Sequence, residues 1–306
     1  MGFRSAVFSL AAALQAALAA LPAHSDTGPS KFLWQIQGPH GSTYLLGTIH
    51  KGIPLVVLPP VVLEKFGQSG TFVQESDLGG HVDPEAIILL SRLPSDQNLE
   101  TMLGPARWTK LKQLLAPRFR ENFLRGSKPW FIAQLINETR PAADHSGATQ
   151  SPEMDRQLFS LARESGKRYD VLEELVDALK ATDGASTLAE SLEDLTKLLD
   201  HPEDRPMQPG AGGAISAELY LSGNLAAMEA VIFQDQSDRA RKYYEAVRYH
   251  RSRNWLPKIE RLIQDGDAFI AVGLGHLLGD QSVIALLRQK GYTVTHLPLP
   301  QPLATP

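Results

Sequence analysis

Two short stretches of the sequence end in the same way. TYLLGTIH (43–50) and FIAVGLGH (269–276) are apolar runs that close on glycine, with a histidine three residues further on. A glycine at a strand end lets the backbone turn sharply, so each histidine is aimed beyond the edge of a sheet. Two carboxylates are placed in the same manner, Glu75 after TFVQ (71–74) and Glu173 after YDVL (169–172). Two imidazoles and one or two carboxylates make a donor set suited to Zn, Mn or Co, and the chain has no cysteine to add a thiolate. Taken alone, the spacing leaves another meaning open. A histidine at a strand end can be a hydrogen-bonded structural residue, and a glutamate there a helix cap.

The second stretch also carries glycines at 273, 275 and 279, a loose form of a dinucleotide-binding turn. That fingerprint needs an acidic residue roughly 20 residues later and further βαβ units. The next predicted strand, 292–297, ends in His296 and Leu297 instead. Holding His276 is therefore the better explanation of the glycines.

The elements that must position these groups are legible along the chain. The sequence predicts a hairpin over 32–46, with a turn at 38–42, and a short helix from Pro59-Pro60 to Phe66. Residues 83–140 are helix-rich and punctuated by proline, and 141–150 are loop-like. Ser151-Pro152-Glu153 reads as a helix start and Gly166 as its stop. Leu188, Leu192, Leu195 and Leu199 mark an amphipathic helix. A loop or lid is expected at 202–214, then helices over 217–264 with a break near Pro257, and a final strand–turn–helix–strand unit. The expected fold is α/β: a central mixed, largely parallel sheet built from both chain ends and flanked by helices. A helix-rich insertion over about 82–265 lies between those ends, and 26–306 is expected to form one domain. In such sheets ligands bind outside the carboxyl ends of the strands.

The chain has 306 residues, 43% of them hydrophobic, and a net charge of -4. This is globular composition, and nothing in it favours a nucleic acid partner. MGFR followed by the Ala-rich apolar run 6–22 and Ala23-His24-Ser25 reads as a signal peptide over 1–25, with Asp26 as the mature start. A membrane anchor is the alternative for this segment. A lipoprotein anchor would need a cysteine. The expectation is a periplasmic or secreted protein with no stable membrane span after cleavage.

At these residues the sequence resembles the TraB/GumN family, which includes the Tiki-type metalloproteases. LLGTIH with PLVVLPPVVLEKFGQSGTFVQESD is similar to the family's first block. MDRQLFSLARESGKRYDVLE is similar to its middle block, and RNWLPKIERLIQDGDAFIAVGLGHLLGDQSVIALLRQKGYTV to its last. Lys51-Gly52 and Pro257 depart from the usual pattern. The resemblance implies that His50 and His276 hold a divalent metal (Mn, Co or Zn), with Glu75 and Arg253 beside it. On that basis the expected function is an exported metal-dependent hydrolase, most simply a peptidase acting on peptides or another envelope substrate. Glu75 would serve as ligand or general base, Arg253 and Asn254 would stabilise developing charge, and Glu173 would orient a ligand histidine. The alternatives are a binding protein for haem, metal or an envelope component, and a family member with a purely structural role.

Overall fold

The structure is a computed structural model that describes residues 32–49, 53–77, 83–139, 153–202, 215 and 217–297. Strands β1 (Leu33–Gly38) and β2 (Gly41–Thr48) form the expected hairpin around Pro39-His40. Helix α1 (Pro60–Gln68) starts on Pro60 and leads into β3 (Thr71–Gln74). The helical middle runs through α2 (Pro84–Ser91), α3 (Leu99–Leu115), α4 (Glu121–Arg125) and α5 (Pro129–Thr139). Helix α3 bends at Gly104-Pro105, where Gly104 takes φ 74° and Pro105 opens the second segment.

Helix α6 (Met154–Glu164) has Glu153 at its N-cap, so it begins later than the Ser151-Pro152 signal predicts. Ser151 and Pro152 lie outside the described residues. The helix stops as expected. Gly166 adopts φ 65°, and the Lys167 N–H turns back to the Ala162 carbonyl at 3.0 Å. Strand β4 (Arg168–Val171) follows, then α7 (Leu175–Gly184) and α8 (Leu188–Asp200). The expected loop at 202–214 lies, beyond Pro202, outside the described residues.

Helices α9 (Ala217–Ser222), α10 (Leu225–Ile232) and α11 (Asp238–Tyr243) lead into a π-helical stretch, Tyr244–Tyr249, and then α12 (His250–Asp265). The break expected at Pro257 is absent: α12 passes through it. Pro257 is on the exposed side of the helix, where the carbonyl deprived of its N–H partner can meet water. The irregularity falls earlier, in the π turn. Strand β5 (Ala268–Gly273), the 3-10 turn Leu274–His276, α13 (Val283–Gln289) and β6 (Val294–His296) complete the fold.

The strand order is β4-β3-β5-β2-β1-β6. The first four are mutually parallel, and β1 pairs antiparallel with both β2 and β6. Both chain ends thus enter one mixed sheet, as expected. The run Ala268–Val272 is buried throughout, which suits a central strand covered on both faces. A second apolar cluster, around Trp108, Leu111, Ile132 and Leu195, joins α3, α5 and α8 away from the sheet.

Candidate functional site

The parallel register decides which strand ends meet. Gln74 is opposite both Val171 and Ala271, and Thr48 is opposite Gly273. Residues just beyond these positions therefore share one edge. The Glu75 carbonyl accepts from the N–H of Leu172 at 3.1 Å and of Glu173 at 2.9 Å, which extends the β3–β4 ladder and sets the two carboxylates side by side. On the other side, Glu75 Oε1 accepts from the Gly273 backbone N–H at 2.5 Å. Glu75 thus ties together the ends of β3, β4 and β5.

Arg251 fills the space between the carboxylates. Its Nε donates to Glu173 Oε1 at 2.7 Å and its Nη2 donates to Glu75 Oε2 at 2.8 Å. Nη2 also donates to Glu173 Oε1, and Nη1 donates to the Val247 carbonyl. The Arg251 side chain is 10% exposed, so this is a desolvated ion triad rather than a surface pair. Burial pushes the Glu173 carboxyl above the usual range, and Arg251 only partly offsets it. Burial alone would depress Arg251, but Glu75 and Glu173 together outweigh it and leave its pKa raised.

His276 completes the cluster. Its ring packs on Trp255 with centroids 4.4 Å apart. Nδ1 is 3.0 Å from the hydroxyl of Ser252, which is fully buried. Nε2 is 3.4 Å from Arg251 Nη1 and 3.9 Å from Glu75 Oε1. A guanidinium can only donate, so this contact assigns the lone pair to Nε2 and the proton to Nδ1, where Ser252 accepts it. With the proton on Nδ1, Nε2 is the nitrogen that can act as a donor to an ion, and it lies 3.9 Å from Glu75 Oε1.

Three expected site residues are thus brought together: Glu75, Glu173 and His276. His50 lies outside the described residues, although β2 ends beside β5 at Thr48. Arg253 and Asn254 are not in this cluster. Arg253 turns outward to Glu245 and to Gln281 Oε1, and Asn254 is exposed. On a helix packed against the sheet by the face bearing Arg251, Ser252 and Trp255, residue 253 points away. Arg251 occupies the position expected of Arg253. Its signal in the sequence was the apolar stripe of α12: it shares a buried face with Trp255, Ile259 and Ile263.

Among the described residues no three His, Cys, Asp or Glu side chains are grouped to hold a metal ion. Two donors of the right kind are present, a carboxylate oxygen of Glu75 and the Nε2 of His276, 3.9 Å apart. They fit a borderline divalent ion in character, with His50 needed to extend the set.

Fold and cluster together define an α/β protein that gathers its ionisable groups at the carboxyl edge of parallel strands. The chain belongs to the TraB/PrgY/gumN family, which it matches over residues 32–296. It is similar to metalloprotease TIKI2 of Danio rerio, 22% identical over 91% of this chain and 63% of that protein. It is also similar to metalloprotease TIKI1 of Danio rerio, 26% identical over 90% and 64%. Metalloprotease TIKI1 of Homo sapiens is 23% identical over 90% and 63%. The chain spans just under two thirds of these relatives' length. No solved structure matches it.

Proposed function

We propose that the protein is an exported metal-dependent hydrolase, most simply a peptidase, working at the edge where Glu75, Glu173, Arg251 and His276 converge. The observation that carries this is the convergence of His276 and Glu75: Ser252 holds Nδ1, and Nε2 lies 3.9 Å from Glu75 Oε1. The similarity to proteins named metalloproteases supports the reaction class. His276 and His50, two residues beyond the end of β2 in the sequence, would hold the ion, with Glu75 as a third ligand or as the base. When bound, such an ion supplies Lewis-acid polarisation of a carbonyl oxygen.

The chain's own residues do the rest. Gly273 N–H and Arg251 fix both oxygens of Glu75, so its carboxylate is held in one orientation ready to take a proton at Oε1. Arg251, already desolvated, places a fixed positive charge beside the reacting position and assumes the stabilising role expected of Arg253. Glu173 orients Arg251 rather than a histidine. Trp255 and Ser252 lock the imidazole plane. No helix among the described residues is long and apolar enough to cross a membrane.

A second use of the same edge, metal capture without turnover, is favoured by the engagement of both Glu75 oxygens in the observed arrangement. Elemental analysis of the purified chain, followed by cleavage of a peptide library with added Mn, Co or Zn, separates the two. Metal-dependent cleavage supports the hydrolase. A tightly held ion with no cleavage supports capture.

A further inference from the structure

Arg248 is a second buried arginine beside the same loop, and it lacks the carboxylates that Arg251 has. It is 9% exposed. Its guanidinium lies over the Tyr244 ring at 4.9 Å and the Phe233 ring at 5.3 Å. Nη1 donates to the Ile232 carbonyl at 3.3 Å. Among the described residues no acidic side chain forms an ion pair with it.

This arrangement is costly unless something completes it. A guanidinium has five N–H donors and remains charged in proteins, and a desolvated cation without a counter-charge is unfavourable. Burial accordingly presses the Arg248 pKa down. The two rings supply partial compensation and restrict where the planar fork can lie. A flat, fixed fork with donors to spare is the geometry that takes a carboxylate through two parallel hydrogen bonds.

Its position links it to the site. Arg248 and Arg251 are at i and i+3 where the π turn passes into α12, so they face the same neighbour. That neighbour is the loop of His276. A Cβ added to Gly275 would come within 3.0 Å of Arg248 Nε. The second glycine of G-L-G-H thus leaves the space in which the guanidinium lies against the backbone next to His276.

We propose that Arg248 is an anion anchor that binds a carboxylate of the substrate next to the His276 loop. The inference rests on the hydrolase reading for the word substrate, but the binding it describes can be measured without turnover. The carboxylate could be a peptide's free C-terminus or an acidic side chain, and both are presented by the same chemistry.

Equilibrium binding of fluorescent peptides to the full chain, followed by anisotropy, tests it. The peptides come as matched pairs: free acid against C-terminal amide, and an internal Glu against Gln. The expected result is that the charged member of one pair binds at least about tenfold tighter, and that the pair concerned tells which carboxylate is used. Arg248→Gln should erase that difference. Arg248→Lys, which keeps the charge but not the fork, should reduce it. Equal binding of both members of both pairs by the unaltered protein overturns the inference, as does a folded Arg248→Gln protein that still discriminates. If Arg248→Gln does not fold, an undiminished difference in Arg248→Lys overturns it instead. Discrimination without cleavage of any peptide would sink the hydrolase reading and leave the anchor standing. Cleavage without discrimination would do the reverse.

Discussion

Gly47, which opens the first G-x-x-H, lies directly against Leu274, inside the second. A Cβ at residue 47 would sit 2.5 Å from Leu274 Cδ1 and 3.3 Å from Phe32 Cβ. The two motifs are therefore packed on each other as well as alike in sequence. The Tyr220 hydroxyl donates to the Gly47 carbonyl at 2.7 Å, so the backbone there is tied as well as packed. Gly47→Ala should cost about 1–3 kcal/mol through overpacking. Combining it with Leu274→Ala should cost clearly less than the sum of the singles, because the second change vacates the contested space. Urea unfolding of the four proteins measures this, and strict additivity would mean that the contact carries no strain.

The ion triad makes unequal demands on two neighbouring arginines. Arg251→Gln leaves Glu75 and Glu173 facing each other without their cation and should destabilise by about 3–5 kcal/mol. Arg253→Gln removes only a surface pair, its side chain being 39% exposed, and should stay within about 0.5 kcal/mol of the parent. Denaturant midpoints of the two variants, side by side, give the answer. Equal losses would contradict the placement of Arg251.

If His50 and His276 share one ion, each single change to Ala should abolish nearly all bound metal, and the double change should be little worse. The unaltered protein should gain stability on adding the ion, and neither single variant should. Glu75→Gln separates two roles. A proton acceptor lost leaves metal bound and turnover gone, whereas a ligand lost removes both. Calorimetric titration of Mn or Zn, run beside the cleavage assay, reads each case. Parental metal affinity in either histidine variant would refute the shared site.

Away from the site, Asp194 on α8 pairs with Arg239 at 2.5 Å. Burial raises the Asp194 carboxyl, and Arg239 only partly offsets it. The folded chain then holds this proton more tightly than the unfolded chain. The stability it contributes is present below the ordinary aspartate pKa of about 3.9 and is lost as pH rises through the raised folded value. Asp194→Asn should remove that fall and leave a flatter profile of unfolding free energy across the same window. Urea midpoints at stepped pH report it, and an unchanged slope would reject the assignment.

What the sequence determined by itself was everything carried by local pattern. The strand ends at Thr48, Gln74, Val171 and Gly273 fall within a residue of where apolar runs close on glycine or a charge, and these ends place Glu75, Glu173 and His276 within three residues of a sheet edge. The tertiary structure decided the order β4-β3-β5-β2, which no single strand encodes, and thereby which ends are neighbours. It also decided which arginine enters the site. Arg248, Arg251 and Arg253 are alike as letters, but the π turn shifts the helical phase before α12, and one residue on a helix rotates a side chain by about 100°. That rotation turns Arg251 toward Glu75 and Arg253 toward solvent. Phase of this kind is fixed by packing against the sheet, and only the packed sheet reveals it.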